Sequence, residues 1–118
     1  MDEPVPPIFV VPTDGGGDLF VYFSVREAEG DLEPIDVAND EYQLFDVEGR
    51  ELLASVKGRR TLVSSTGRQA KHVLTEHLRR FFQAADIQTP HQPDWRSFAE
   101  ASAAAIKGWE PRRRGGGA

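Results

Sequence analysis

The chain has 118 residues, no Cys, 14 Lys+Arg against 19 Asp+Glu, and 39% hydrophobic residues. That length suits one domain burying somewhat over ~60% of its extended-chain surface and excludes two separate ones. Without Cys there is no disulfide framework, thiolate nucleophile, iron–sulfur cluster or Cys-ligated zinc, and a cytoplasmic location is the default expectation. The start, Met1-Asp-Glu-Pro-Val-Pro-Pro, lacks the basic region of a signal peptide, and no apolar run approaches the roughly 18 residues that span a bilayer.

In chain order, residues 1–18 read as a Pro/Gly-rich arm. Ile8-Phe9-Val10-Val11 lies between Pro4, Pro6, Pro7 and Pro12, and because proline cannot donate to a ladder this run is expected to be at most a short edge strand. Leu19 to Ala28 alternates apolar and polar positions through an aromatic, β-branched run and predicts a strand. Glu29 to Asp40, with Gly30 and Pro34, predicts an acidic loop. Tyr42–Val47, Glu48-Gly49 and Arg50–Val56 form a hairpin signal, and a second turn at Lys57-Gly58-Arg59 leads into Arg60–Ser64.

The period then changes from 2 to 3.6. Ala70, Val73, Leu74, His77, Leu78, Phe81, Phe82 and Ala85 form one helical stripe. Thr66 and Gln69, in the T-x-x-Q relation of a capping box, place the helix start just after Thr66. A second amphipathic stretch runs from Trp95 to Lys107, with Gly108 and Pro111 as stop signals. The tail 110–118, with Arg112-Arg-Arg-Gly-Gly-Gly, is expected to be disordered. The fold class is therefore α+β: an N-terminal antiparallel meander of four or five strands followed by two C-terminal helices packed on one face, with 19–109 as the single domain.

Most catalytic constellations fail on spacing. His72 with Glu76-His77 reads H-x-x-x-E-H, one residue longer than the inverted zinc motif, and five helical positions put the two imidazoles about 140° apart. His77 falls in the apolar stripe, as a core-edge histidine bonded to the sheet; His72 faces solvent and His91 lies in a loop. The glycines of Asp14-Gly-Gly-Gly-Asp18 lack the lysine and following helix of a phosphate loop and carry two flanking aspartates, so they predict a hairpin loop. The carboxylates from Glu27 to Glu41 lack the calcium-loop spacing. Ser64-Ser65-Thr66 with His72 has neither a nucleophile elbow nor a third member. No metal or cofactor is expected.

Charge distribution carries more. The net −5 divides into −12 over residues 1–56, +6 over 57–80 and +1 beyond. A non-enzymatic protein–protein interaction module, of the regulator, adaptor or inhibitor/immunity type, follows as the expectation. Its partner-binding residues would be Asp31, Glu33, Asp36, Asp40 and Glu41, facing an unidentified basic protein. A nucleic-acid-associated protein is the alternative, with Arg59, Arg60, Arg68, His72 and Arg79 as phosphate contacts along a basic helix face. A third expectation is a small-molecule pocket between sheet and helices lined by Phe20, Tyr22, Phe81, Phe82 and Trp95. The edge near Ile8–Val11 would support a homodimer.

Overall fold

The architecture follows from the apolar run near the start of the chain. The computed structural model describes residues 3–116, with side chains through Glu110. In it, Ile8–Pro12 is strand β1, hydrogen-bonded on one side to β2 (Phe20–Tyr22) and on the other to β3 (Tyr42–Phe45). Ile8 and Val10 point to one face and Phe9 and Val11 to the other, all nearly inaccessible to water. Four consecutive apolar residues are what a strand covered on both faces requires. The expected edge strand is thus an interior one: the prolines stand before it and at its last position, outside the part of the ladder they would break.

Strands β4 (Arg50–Lys57) and β5 (Arg60–Gln69) complete a five-stranded antiparallel sheet in the order β2-β1-β3-β4-β5. The β4–β5 turn is the two-residue loop Gly58-Arg59, closed by the Lys57–Arg60 pair with Gly58 at φ +64°. Glycine at that first loop position supplies the positive φ that hairpin twist favours.

The predicted strand from Leu19 to Ala28 survives only over Phe20–Tyr22. Ser24 ends it: its hydroxyl accepts from the Glu27 backbone N–H at 3.0 Å and caps helix α1 (Val25–Asp31). The expected acidic loop contains the rest of α1 and a second short helix, α2 (Pro34–Ala38), which begins with proline at its first turn, where a missing N–H costs nothing. Both lie over one face of the sheet, where Ala28, Leu32 and Val37 pack on Ile8, Val10, Leu44, Leu52 and Val63.

The opposite face carries α3 (Lys71–Ala85) and α4 (Trp95–Gly116), the two C-terminal helices expected on one face. Leu74, Leu78, Phe81 and Phe82 of α3 meet Ala99, Ala103 and Ile106 of α4 over Phe9, Val11, Val21 and Phe45. Two boundaries differ from expectation. Thr66 does not cap a helix, because β5 continues to Gln69; its hydroxyl instead donates to the Glu51 carbonyl at 2.9 Å and accepts from Arg68 N–H. Helix α4 does not stop at Gly108 or Pro111. Its buried stripe continues from Ala99, Ser102, Ala103 and Ile106 to Glu110, and the backbone is helical to Gly116. Of the tail expected to be disordered, 110–116 is therefore helical, and 117–118 lies outside the described residues.

One turn gathers the remaining pieces. Asp46, fully buried, accepts from Arg50 Nη2 at 2.7 Å and Nε at 2.9 Å, and from the backbone N–H groups of Val5, Glu48 and Arg50. Such bonds offset the desolvation of a buried charge. Arg50 reaches on to the Glu3 carbonyl at 2.9 Å, which ties the N-terminal arm to the β3–β4 turn. The Trp95 indole donates to Val47 O at 2.9 Å, and Ala70 N–H to Gly49 O at 2.7 Å. Gly49, at φ +78°, has no room for a side chain: an added Cβ would lie 2.4 Å from Lys71 Cγ.

Candidate protein-binding surface

The acidic residues singled out from the sequence all lie on or beside the α1–α2 layer, but they do different jobs. Asp31, at the end of α1, accepts a hydrogen bond from the Tyr22 hydroxyl of β2, and Asp36 of α2 accepts from the Tyr42 hydroxyl of β3 at 3.2 Å. Burial, reinforced by the neighbouring carboxylates, pushes both phenols above their ordinary range, so they remain protonated donors at neutral pH. These two aspartates fasten the helical layer to the sheet. Glu29, which was not singled out, does the same from α1, accepting the Val63 N–H of β5 at 2.8 Å.

Glu33, Asp40 and Glu41 are exposed and make no such bond through their side chains among the described residues. Glu33 precedes α2. Asp40 takes the left-handed conformation at φ +54° just after it, and the carbonyls of Asp40 and Glu41 accept from Thr13. Among the described residues no ion pair reaches any carboxylate from Glu27 to Glu41, whereas Asp46, Glu48, Glu51, Glu76, Glu100 and Glu110 are all paired. In the middle of this layer Ile35 is 66% exposed, the most exposed of the large apolar side chains. Its outward turn is a consequence of helix geometry: Val37 takes the inward position, leaving Ile35 and Asn39, at i and i+4, on the solvent side.

The basic residues do not assemble. Arg59 and Arg60 lie at the β4–β5 tip, while Arg68 lies near the other end of β5, roughly 25 Å away at the usual strand rise. Arg68 approaches Glu51 at 3.7 Å and Arg79 pairs with Glu76 at 3.1 Å. Because α3 starts at Lys71, Arg68 is not on the helical line with His72 and Arg79. The five aromatic residues expected to line one pocket are divided as well: Phe20 and Tyr22 pack on the α1–α2 side, Phe81, Phe82 and Trp95 on the α3–α4 side.

His77 is the core-edge histidine bonded to the sheet that its place in the stripe predicts. Its Nε2 lies 3.1 Å from Gln43 Oε1 of β3 and its ring 5.8 Å from Phe45, and burial, with Arg80 nearby, lowers its pKa. The triple-glycine segment is the β1–β2 hairpin connection, with Asp14 accepting from Gly16 N–H at 2.9 Å.

The missed structure had sequence signals. Ser24-Val-Arg-Glu27 has the S-x-x-E pattern of a helix start and Glu33-Pro34 the proline of a first turn. Among the described residues no helix is long and apolar enough to cross a membrane, and no three His, Cys, Asp or Glu residues group closely enough to hold a metal ion. Comparison with known proteins gives no matching family model, no matching curated protein and no matching solved structure.

Proposed function

We propose that the protein is a non-enzymatic protein–protein interaction module of the cytoplasm that presents the outer side of the α1–α2 layer to a basic partner. The observation that carries this is an exposed apolar side chain, Ile35, set among carboxylates that have no ion-pair partner among the described residues. An apolar anchor inside a charged rim is the usual economy of a binding surface: the anchor supplies burial, and the rim supplies steering and selects against partners of the same sign. Asp31 and Asp36 support the helices through the tyrosines, which leaves Glu33, Asp40 and Glu41, with Ile35, as the contacting set.

Affinity capture from native lysate tests this with Ile35→Ala and, separately, with Glu33→Lys combined with Glu41→Lys. Both variants should keep the wild-type melting temperature and lose the same captured proteins, while the reversal Glu100→Lys on α4 keeps them. Undiminished capture by both variants removes the proposal.

A further inference from the structure

Adjoining that surface at Glu33, at the tip of the β4–β5 hairpin, Arg26 of α1 and Arg59 and Arg60 of the hairpin line one cleft of about 340 Å³ against the α1–α2 junction. Among the described residues none of these three guanidinium groups is in an ion pair, although Glu29 and Glu33 also line the cleft. Glu29 is already engaged, its Oε2 holding the Val63 N–H at 2.8 Å. The walls are tied together twice, by that bond and by the buried Thr61 hydroxyl, which donates to the Leu32 carbonyl at 2.8 Å. A cleft whose walls are cross-linked needs little ordering when a ligand arrives.

We propose that this cleft is an anion site that takes a small phosphate-bearing molecule. Arginine presents planar, paired donors that match the oxygens of a phosphate and is weakly hydrated compared with lysine. Three of them, from two elements, line this one cleft, and the volume lies at the lower end of the range for small-ligand sites, which generally starts near ~300 Å³. Glu29 and Glu33 are the opposing charges in the lining, so three arginines against two carboxylates leave one net positive charge, and Glu33, whose side chain makes no hydrogen bond among the described residues, gives a test of sign.

Titration of the 15N-labelled protein with inorganic phosphate, and in parallel with glycerol phosphate, reads the site directly. Saturable amide shifts should concentrate at 26–33 and 59–61. The combined Arg59→Gln and Arg60→Gln variant, and Arg26→Gln alone, should weaken binding about tenfold or more, as the loss of a charge-assisted hydrogen bond implies. Glu33→Gln should tighten it, and Arg79→Gln, on α3, should leave it unchanged. Melting temperatures near wild type establish that the variants are folded. Absence of saturation with both ligands overturns the proposal, as do equal shifts in the arginine variants. Binding of a short single-stranded RNA with a steep salt slope, while neither small phosphate saturates, would also overturn it in favour of a nucleic-acid surface.

Discussion

On one face of the sheet, α3 and α4 bring Leu74, Leu78, Phe81, Phe82, Ala103 and Ile106 into a continuous apolar layer, with Phe81 edge-on to Trp109 at 5.3 Å. On the other, α1 and α2 are seven and five residues long and, with Leu32 just after α1, contribute only Ala28, Leu32 and Val37 to the buried cluster. Their attachment depends on side-chain hydrogen bonds: Tyr22 to Asp31, Tyr42 to Asp36, Val63 N–H to Glu29, and Thr61 to the Leu32 carbonyl. Burial is non-directional and insensitive to charge, while these bonds depend on geometry and on the protonation of their members. The acid-rich layer can therefore open locally at a smaller free-energy cost than the aromatic one.

The largest expected difference is in the apolar layer. Phe82→Ala should destabilise the whole fold by about 3–5 kcal/mol, seen as a lower urea midpoint with unchanged slope. Ser24→Ala removes the α1 cap and should cost about 1 kcal/mol. Its signature is local: amide exchange should accelerate through 25–31 with little change in α3. Tyr42→Phe should cost a similar or slightly smaller amount, about 1 kcal/mol, with faster exchange confined to 35–41. Equal acceleration in α3 for either variant would erase the proposed difference between the layers.

The smallest effects are those of pH, and they act on opposite sides of neutrality. The folded state holds the Tyr22 proton more tightly than the unfolded chain does, so its contribution is complete below the ordinary phenol value near 10 and is lost as pH rises beyond it. Alkaline titration should accordingly loosen the α1 tie to β2, and Tyr22→Phe should remove that part of the dependence while leaving the part that Tyr42, also raised, contributes through α2. His77 has the reverse sign. Its lowered pKa means the unfolded chain binds the proton more readily, so stability present above about pH 6.5 is lost as pH falls through the depressed value. His77→Gln should flatten the mild-acid limb of a melting-temperature profile.

The apolar layer was legible in the sequence because helix periodicity over α3 is long and strong: eight positions repeat one spacing before any other signal competes. The hairpin at Gly58-Arg59 was legible because a two-residue turn demands one conformation. The acid-rich layer was not, because a helix of five or seven residues makes fewer than two turns and establishes no period. There the aromatic run through Phe23 and Val25 resembled a continuing strand, and only the Ser24 cap overruled it. In β1 the difference has another source. Flanking prolines in the sequence suggest a run broken along its length, whereas the register places Pro12 opposite Tyr42 at the strand's last pair. Of the candidate surface, the sequence located the carboxylates but could not separate Asp31 and Asp36, which hold the helices, from Glu33, Asp40 and Glu41, which face solvent. That separation depends on tyrosines from strands β2 and β3.

The β3–β4 turn carries a further consequence, for the order of folding. Asp46, Gly49 and Arg50 satisfy one another within five residues, so the turn can close before any distant part of the chain is in place. Among its other partners, Val5 and Trp95 lie 41 and 48 residues away from their bonding positions. Distant contacts are slow to form and local ones fast. We expect the turn to be an early landing site on which the arm and the start of α4 dock later. Measured by φ-value analysis, Asp46→Asn should slow folding, whereas Trp95→Phe should chiefly speed unfolding.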